Sequence, residues 1–208
     1  MRDALTVVKK AAPVMPVGQF KSLDHAKACA ELFAEAGVPA VEITLRHDDA
    51  WQMVKTFRDV MPKALIGVGT VLNRRQMLRA VDEADFVISP GFSRELSMLA
   101  HKTLTTYIPG VATATEIMAA MAEEHRVLKM YPATAIGGVA LLKALTGPFP
   151  EAVFCPTGGI SEANYQEYLA LPNVACVGGS WLVPSEEALA KDRDGYLSML
   201  HNLYSAVV

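Results

Sequence analysis

The stretch from Val153 to Ser180, VFCPTGGISEANYQEYLALPNVACVGGS, decides the fold class of this chain. An apolar run from Val153 ends in a glycine pair, a helical pattern extends from Ser161 to Ala170, and a second run from Val174 ends in another glycine pair. A strand, a helix and a strand in this order are typical of a βαβ unit with parallel strands. The stretch therefore predicts α/β architecture.

The same alternation continues along the whole chain. A short helix is predicted near residues 2–10, and Ser22–Ala36 and Asn73–Ala84 have helical patterns that open with typical capping residues. The predicted strands begin near Val14, Val38, Leu65, Phe86, Leu104, Val127, Val153 and Val174. Eight units of about 26 residues fit the lower size limit of a (β/α)8 TIM barrel. No linker or repeat divides the chain, so we expect one domain over residues 1–208.

The competing α/β architecture is a doubly wound sheet, which usually places a glycine-rich phosphate loop after its first strand. Here the first predicted strand ends in Pro16-Val-Gly-Gln19, without such a turn. The nearest likeness to a dinucleotide fingerprint is Gly67-Val-Gly-Thr-Val-Leu72, which lacks the third glycine and follows the third strand. The sequence therefore favours a TIM barrel with a short N-terminal helix and argues against nucleotide binding.

The charge balance points to a small-molecule ligand. The 208 residues are 51% hydrophobic and 20% charged, which is typical of a globular protein with a substantial core. Nineteen Lys plus Arg residues stand against 22 Asp plus Glu, for a net charge of -3, and no basic block is present. This balance argues against a nucleic-acid partner and against a membrane surface.

The expected compartment is the cytoplasm. The mean hydropathy is +0.24, yet no apolar stretch reaches the ~18 residues that a membrane-spanning helix needs. The N-terminus shows no secretory signal. Cys29, Cys155 and Cys176 are widely spaced and form no Cys-x-x-Cys motif, which indicates reduced core thiols.

Two predicted strands carry charged residues in otherwise apolar runs. In the first, Val41–Arg46, the period of two places Glu42, Thr44 and Arg46 on one face. Both faces of a barrel strand are buried, so this polar face is a candidate interior site. The alternative is a half-exposed edge strand with an ion pair between its own residues.

The second charged strand, Arg126–Pro132, places Lys129 in its middle. An ordinary lysine has a pKa of ~10.4 and is a poor nucleophile at pH 7. Burial can lower a lysine pKa by about 3 units, which leaves enough neutral amine to form a Schiff base with a carbonyl. The alternative is a lysine that protects an exposed edge strand from aggregation.

The two glycine pairs, Gly158-Gly159 and Gly178-Gly179, follow the last two predicted strands. Loops at these positions form the usual phosphate site of a barrel, and N–H groups at the start of a helix after Ser161 would add donors. The alternative is that the pairs only form tight turns. His47, at the end of a strand, is a further site candidate. The five histidines form no metal-binding motif, so we expect neither a metal nor another cofactor.

These strand-end residues, taken in order, resemble the class I 2-keto-3-deoxy-6-phosphogluconate (KDPG) aldolases, which are similar to 4-hydroxy-2-oxoglutarate (KHG) aldolases. The resemblance rests on eight segments in the family's order. They are Pro13–Val17, Val41–Arg46, Gly67–Asn73, Ile88–Gly91, Ile108–Val111, Lys129–Ala133, Phe154–Ser161 and Val177–Pro184.

The resemblance implies a (β/α)8 barrel that is usually a homotrimer. It implies reversible cleavage of KDPG to pyruvate and glyceraldehyde 3-phosphate, without a metal. Lys129 would be the Schiff-base lysine and Glu42 the general acid/base. Arg46, Thr70 and Thr157 would hold the pyruvyl carboxylate and nearby oxygens.

The family pattern also implies the remaining contacts of the substrate. Pro90 would line the pocket, and Tyr131 would supply its aromatic wall. The phosphate would be bound by residues of the two glycine turns. The backbone of Gly158, Gly159 and Gly179 would contribute, together with Ser180.

One position departs from the family pattern. The family commonly has an acidic residue where this chain has Thr134, and this loss of charge could change the substrate range.

Three other functions compete with the main one. A sugar-phosphate isomerase or epimerase would share the phosphate site but leave Lys129 without a role. A silent metabolite-binding barrel would not need both Glu42 and Lys129. Aldolases for the galactonate epimer tend to lack the threonine found here as Thr157.

Overall fold

The computed structural model describes residues 3–205 of the chain, which form helices and strands in regular alternation. The helices are α1 (Ala4–Ala11), α2 (Leu23–Glu35), α3 (Ala50–Val60), α4 (Arg74–Glu83), α5 (Arg94–Thr103), α6 (Ala114–Ala122), α7 (Gly138–Leu145), α8 (Tyr165–Leu169) and α9 (Glu186–Ser205). The strands are β1 (Val14–Gly18), β2 (Ala40–Thr44), β3 (Leu65–Gly69), β4 (Phe86–Ile88), β5 (Tyr107–Ile108), β6 (Gly110–Val111), β7 (Val127–Met130), β8 (Val153–Pro156) and β9 (Val177–Gly179).

The strands pair in parallel and form a curled sheet. Six of them follow the order β5-β4-β3-β2-β1-β9, and three follow the order β6-β7-β8. β5 and β6 are separated only by Pro109, which has no N–H to donate to a ladder. At the opposite edges, Thr157 bridges to Gly178, and the Ala175 N–H donates to the Phe154 carbonyl over 3.1 Å.

Capping residues set the beginnings of several helices, as the sequence predicts. The Ser22 hydroxyl accepts a hydrogen bond from the His25 N–H at the start of α2, and Asn73 caps α4 through the Gln76 N–H. These contacts satisfy backbone donors that have no partner within the helix. The predicted helices Ser22–Ala36 and Asn73–Ala84 are confirmed.

Several predicted boundaries differ from the observed ones. Five strands begin at the predicted residue, but β2 begins at Ala40 rather than at Val38. The predicted start at Leu104 is wrong, because Leu104 is the left-handed C-cap of α5. Val174 forms only an isolated bridge, and β9 begins at Val177. The first helix begins at Ala4, and its predicted start at residue 2 lies outside the described residues.

The helix predicted from Ser161 is shorter than expected. The Ser161 N–H donates to the Asn164 side chain over 2.9 Å, which forms a turn, and α8 begins only at Tyr165. The predicted helix start at Ser161 is therefore wrong, and the N–H groups directly after Ser161 belong to a turn rather than to a helix.

The core has two parts, one on each side of the strands. Outward-facing residues such as Val41, Ile43 and Phe154 pack against the surrounding helices. Inward-facing residues such as Met15, Phe86 and Ile108 pack with Val7 and other residues of α1. The apolar filling occupies the end of the strands that α1 covers, so the polar inward positions lie further along the strands. Within residues 3–205, no helix is long and apolar enough to cross a membrane.

A glycine in β3 tests how tightly the inward side is packed. A Cβ built on Gly67 would overlap the ring of Phe86, which is fully buried. Gly67→Ala should therefore lower the free energy of unfolding by about 1–3 kcal/mol through overpacking. Gly147→Ala, where nothing lies within 4 Å of the new Cβ, is the matched control and should change it by less than about 0.5 kcal/mol. Urea titrations followed by circular dichroism measure both values. Equal stabilities of the two variants would contradict this account of the packing.

Candidate active site

A buried ion pair lies inside the curled sheet. Lys129 Nζ of β7 lies 2.9 Å from Glu42 Oε1 and 3.2 Å from Glu42 Oε2 of β2. Only 7% of the lysine side chain and 2% of the glutamate side chain are exposed. The ammonium donates to both carboxylate oxygens, so each charge is paired and the short contacts provide a direct path for a proton.

Both alternatives that the sequence left open for these residues are wrong. β2 lies between β1 and β3, and β7 lies between β6 and β8, so neither is an edge strand. Glu42 pairs with Lys129 rather than with Arg46. Glu42 and Thr44 are buried on the same face, as predicted, whereas Arg46 lies beyond the end of β2 and is exposed.

Gly69 provides the space for the Glu42 carboxylate. A Cβ at this position would overlap Glu42 Oε1, and the Glu42 side chain would have to move away from Lys129. The sequence pattern alone predicts no role for Gly69. Gly67 pairs with Glu42 across β2 and β3, and Gly69 lies two residues further on the same face, so the role is visible only once the register of the two strands is known.

The turn after β7 lies close to the ion pair. Lys129 Nζ lies 5.5 Å from the centre of the Tyr131 ring, near enough for a cation–π contact. A Cβ built on Gly158 would lie 3.2–3.3 Å from Pro132 and Tyr131. The glycine turn after β8 therefore packs directly against the aromatic side chain next to Lys129.

Arg46 and Thr70 meet at the ends of β2 and β3. The Arg46 Nε–H donates to Thr70 Oγ1 over 3.2 Å, and Thr70 has a positive φ of 60°. The predicted residues are thus brought together, and Arg46 keeps its terminal N–H groups for an anion. Pro90 lies against Gly110, which is the register partner of Lys129 in β6 and β7.

The glycine turns after β8 and β9 have different backbone geometries. Gly158 and Gly159 have φ values of +98° and +77°, which favour glycine strongly. Gly178 leaves room for the buried Thr157 side chain, and Gly179 leaves room for the Trp181 ring. The prediction that the pairs leave backbone open to a ligand stays a prediction for both pairs, because the glycines of each pair also accommodate neighbouring side chains.

Two more predicted candidates lie at the surface. Ser180 directly follows β9 and is exposed. The Nδ1 of His47 accepts a hydrogen bond of 3.1 Å from the Asp49 N–H, which is a local contact before α3. Among the described residues, no group of three or more His, Cys, Asp and Glu side chains is arranged to hold a metal ion.

Two buried thiols border the ion pair. Cys155 is the register partner of Lys129, and its Sγ lies 3.4 Å from Sγ of Cys176. The hydrogen bond to Cys155 and burial raise the pKa of the Cys176 thiol well above its usual range. Burial also raises the pKa of Cys29 to about 12. The Cys29 and Cys176 thiols therefore stay protonated near neutral pH, as expected of core cysteines.

Comparisons with known proteins agree on one family. A family model described as "Aldolase: KDPG and KHG aldolase" matches residues 5–196. The "KHG/KDPG aldolase" of Escherichia coli strain K12 is 43% identical over 88% of this chain and 86% of its own length. The "2-dehydro-3-deoxy-phosphogluconate aldolase" of Zymomonas mobilis is 36% identical over 94% of this chain and 97% of its own.

A solved structure adds chemical information about a relative. The KDPG aldolase of Legionella pneumophila, crystallised with pyruvate captured at low pH as a covalent carbinolamine intermediate, superposes with a TM-score of 0.90. It is 40% identical to this chain, and the match covers 97% of this chain and 98% of that protein.

Proposed function

The chain belongs to the KDPG and KHG aldolase family, and from this premise we propose how its buried residues perform the family reaction. The protein is a class I aldolase that reversibly cleaves KDPG to pyruvate and glyceraldehyde 3-phosphate. It also cleaves 4-hydroxy-2-oxoglutarate to pyruvate and glyoxylate. The observation that carries the mechanism is the buried contact between Lys129 and Glu42.

Lys129 is the nucleophile. Transfer of one proton from Nζ to Glu42 leaves a neutral amine, which attacks the C2 carbonyl carbon of the substrate. Glu42 gives that proton to the hydroxyl of the resulting carbinolamine, the hydroxyl leaves as water, and a Schiff base and the Glu42 carboxylate remain. The positively charged iminium then accepts the electron pair that is released when the bond between C3 and C4 breaks.

Glu42 moves the protons of the reaction. Its carboxylate removes the proton from the C4 hydroxyl, the C3–C4 bond breaks, and the aldehyde leaves. The enamine of pyruvate remains on Lys129, and Glu42 returns the proton to C3. Hydrolysis of the new Schiff base releases pyruvate and restores the lysine. One carboxylate serves both proton transfers because it lies beside Lys129 Nζ, to which the substrate stays attached during both steps.

The carboxylate of the pyruvyl group binds at the ends of β2, β3 and β8. Arg46 supplies charged donors, and its contact with Thr70 supports this assignment because it holds the guanidinium at the ends of the strands. Thr157 supplies a buried hydroxyl near the same end. Pro90 and Tyr131 line the pocket beside Lys129.

The phosphate of KDPG binds to the glycine turns. Backbone N–H groups at Gly158 and Gly159 are the donors in the first turn, and their positive φ values support this role because successive N–H groups in such turns form an anion-binding concavity. Gly179 and the exposed Ser180 contribute from the second turn. Thr157 favours the gluconate substrate over its galactonate epimer.

An isomerase or epimerase is the alternative function. Such an enzyme would use a glutamate and a phosphate site, but a buried lysine would then have no chemical role. The short contact between Lys129 and Glu42 favours the aldolase. Burying a charge is costly, and the aldolase mechanism gives the buried lysine a chemical role.

The two sheets are parts of one closed (β/α)8 barrel in a single domain that spans residues 1–208. β5 and β6 count as one barrel strand, because the Lys129 N–H donates to the Pro109 carbonyl between them over 2.8 Å. The contacts from β8 to the segment of β9 support closure at the other edge. The short helix α1 covers the N-terminal end of the strands.

The partners are pyruvate and phosphorylated 2-keto acids, with neither nucleic acid nor membrane among them. The net charge of -3 supports this assignment. The compartment is the cytoplasm, which the three free, buried thiols support because disulfides are rare there. Cell fractionation is the direct test.

The enzyme assembles as a homotrimer through helices α4, α5 and α6. Leu78, Met98 and Met118 lie on these helices and are exposed, and large apolar side chains of this kind mark interaction surfaces when they cluster. Light scattering after size exclusion should give three times the chain mass of 22.4 kDa. Met98→Glu with Met118→Glu should lower the mass, while Leu104→Glu, at the far end of α5, should not. A monomeric parent protein would contradict the proposal.

Trapping with borohydride tests the nucleophile. Pyruvate plus borohydride should modify Lys129, because hydride reduces the iminium irreversibly. Peptide mass spectrometry locates the adduct, which Lys129→Ala should abolish and Lys143→Ala, a change of an exposed lysine on α7, should leave in place. An adduct on another residue, or activity that survives Lys129→Ala and stops with a chelator, would contradict the class I mechanism.

Glu42→Gln tests the proton transfers. The amide keeps the size of the side chain but accepts no proton, so cleavage should fall by about 10²- to 10⁴-fold. Exchange of deuterium into the methyl group of pyruvate, measured by NMR, should slow as well. The exposed Glu31→Gln is the control and should keep the parent rates. If a folded Glu42→Gln protein exchanges deuterium at the parent rate, Glu42 is not the proton carrier.

A further inference from the structure

We infer that Thr134 and Tyr168 act as positioning residues that orient the Gly158-Gly159 turn and thereby set the preference for phosphorylated substrates. The inference rests on the proposed function, in which this turn binds the phosphate. Neither residue contacts the reacting carbon atoms in that mechanism.

A hydrogen bond joins the two side chains across the turn. Thr134 Oγ1 lies 3.2 Å from the Tyr168 hydroxyl, and either oxygen can be the donor. We call this pair the Thr134–Tyr168 clamp. Thr134 lies in the turn after β7, and Tyr168 lies on α8, so the clamp links the segments before and after β8.

Thr134 supports the glycine turn directly. A Cβ built on Gly159 would lie 2.6 Å from Cβ of Thr134 and 2.7 Å from its Oγ1, so the glycine packs closely on this side chain. The Thr134 N–H also donates to the Gly158 carbonyl over 3.0 Å. Thr134 therefore contacts both residues whose N–H groups are assigned to the phosphate.

Tyr168 gives the exposed threonine a rigid anchor. Only 3% of Tyr168 is exposed, and a buried tyrosine hydroxyl needs a hydrogen-bond partner. Gly138, with a φ of +54°, lets this hydroxyl approach, since a Cβ there would lie 2.8 Å from it. The branched side chain of Thr134 has few rotamers, so a fixed hydroxyl also fixes the methyl and Cβ that face Gly159.

The clamp affects only substrates that reach the turn. Donors that are held in place before binding favour a ligand because no ordering cost remains at binding. KDPG carries its phosphate two carbons beyond C4, whereas the second carboxylate of 4-hydroxy-2-oxoglutarate is attached directly to C4. The shorter substrate therefore ends several bonds before the phosphate position and should not sense the orientation of the turn.

The experiment compares kcat and KM for the two substrates, measured by pyruvate release. Thr134→Val keeps the shape of the side chain and removes its hydroxyl. Tyr168→Phe keeps the ring and removes the hydroxyl that bonds to Thr134. Each should raise KM for KDPG about fivefold, the effect of one hydrogen bond between neutral groups. The kcat values and the KM for 4-hydroxy-2-oxoglutarate should stay within about twofold of the parent.

Three further variants separate positioning from general structure. Thr134→Ser keeps the hydroxyl and should retain the parent KM. Tyr165→Phe removes an exposed hydroxyl from the same helix and should also have no effect. The double variant Thr134→Val with Tyr168→Phe should be no worse than either single variant, because both remove the same hydrogen bond.

Inorganic phosphate provides an independent probe of the turn. It should inhibit cleavage of KDPG by the parent enzyme competitively, and its inhibition constant should rise about fivefold in Thr134→Val and Tyr168→Phe. Equal losses for both substrates, additive losses in the double variant, or an unchanged KM for KDPG would overturn the clamp. A parent protein without aldolase activity would overturn the proposed function itself, so the two failures are distinguishable.

Discussion

An ammonium and a carboxylate buried together inside a parallel sheet are the interaction on which the rest of this structure depends. Either ion alone would cost several kcal/mol to remove from water, so each is tolerated only beside the other. Lys129 and Glu42 lie 87 residues apart in the chain. The positions of β2 in the six-stranded sheet and of β7 in the three-stranded sheet bring their charged atoms to 2.9 Å.

The space around the ion pair is divided between packing and chemistry. Toward the end covered by α1, inward positions carry large apolar side chains such as Phe86, and Gly67 leaves room for that ring. Further along the same strands, Gly69 leaves room for a carboxylate instead. Neighbouring inward positions of β3 thus leave room for an aromatic ring at one and for the Glu42 carboxylate at the other. The Sγ atoms of Cys155 and Cys176 lie 3.4 Å apart beside the ion pair, and the hydrogen bond to Cys155 and burial raise the pKa of the Cys176 thiol.

The shape of the glycine turn after β8 depends on backbone conformation as much as on the neighbouring side chains. Gly158 and Gly159 adopt conformations that other residues rarely take, and their neighbours determine where their N–H groups point. Thr134 is one such neighbour, and it stands where the family commonly has an acidic residue. In this chain a neutral hydroxyl, hydrogen-bonded to a buried tyrosine, stands at that position.

The sequence by itself determined the parallel α/β class and five strand beginnings through its periodicity. It also determined the caps at Ser22 and Asn73, and it marked Lys129 and Glu42 as charged residues in buried strands. Only the tertiary structure decided which partner Glu42 has, where Pro109 interrupts the ladder and where α8 begins. The physical reason is the separation along the chain of the residues that interact. Capping and alternation depend on neighbours within a few residues, whereas pairing across the sheet interior depends on how all the strands curl together. The space that Gly69 leaves for Glu42 exists only once β2 and β3 lie side by side.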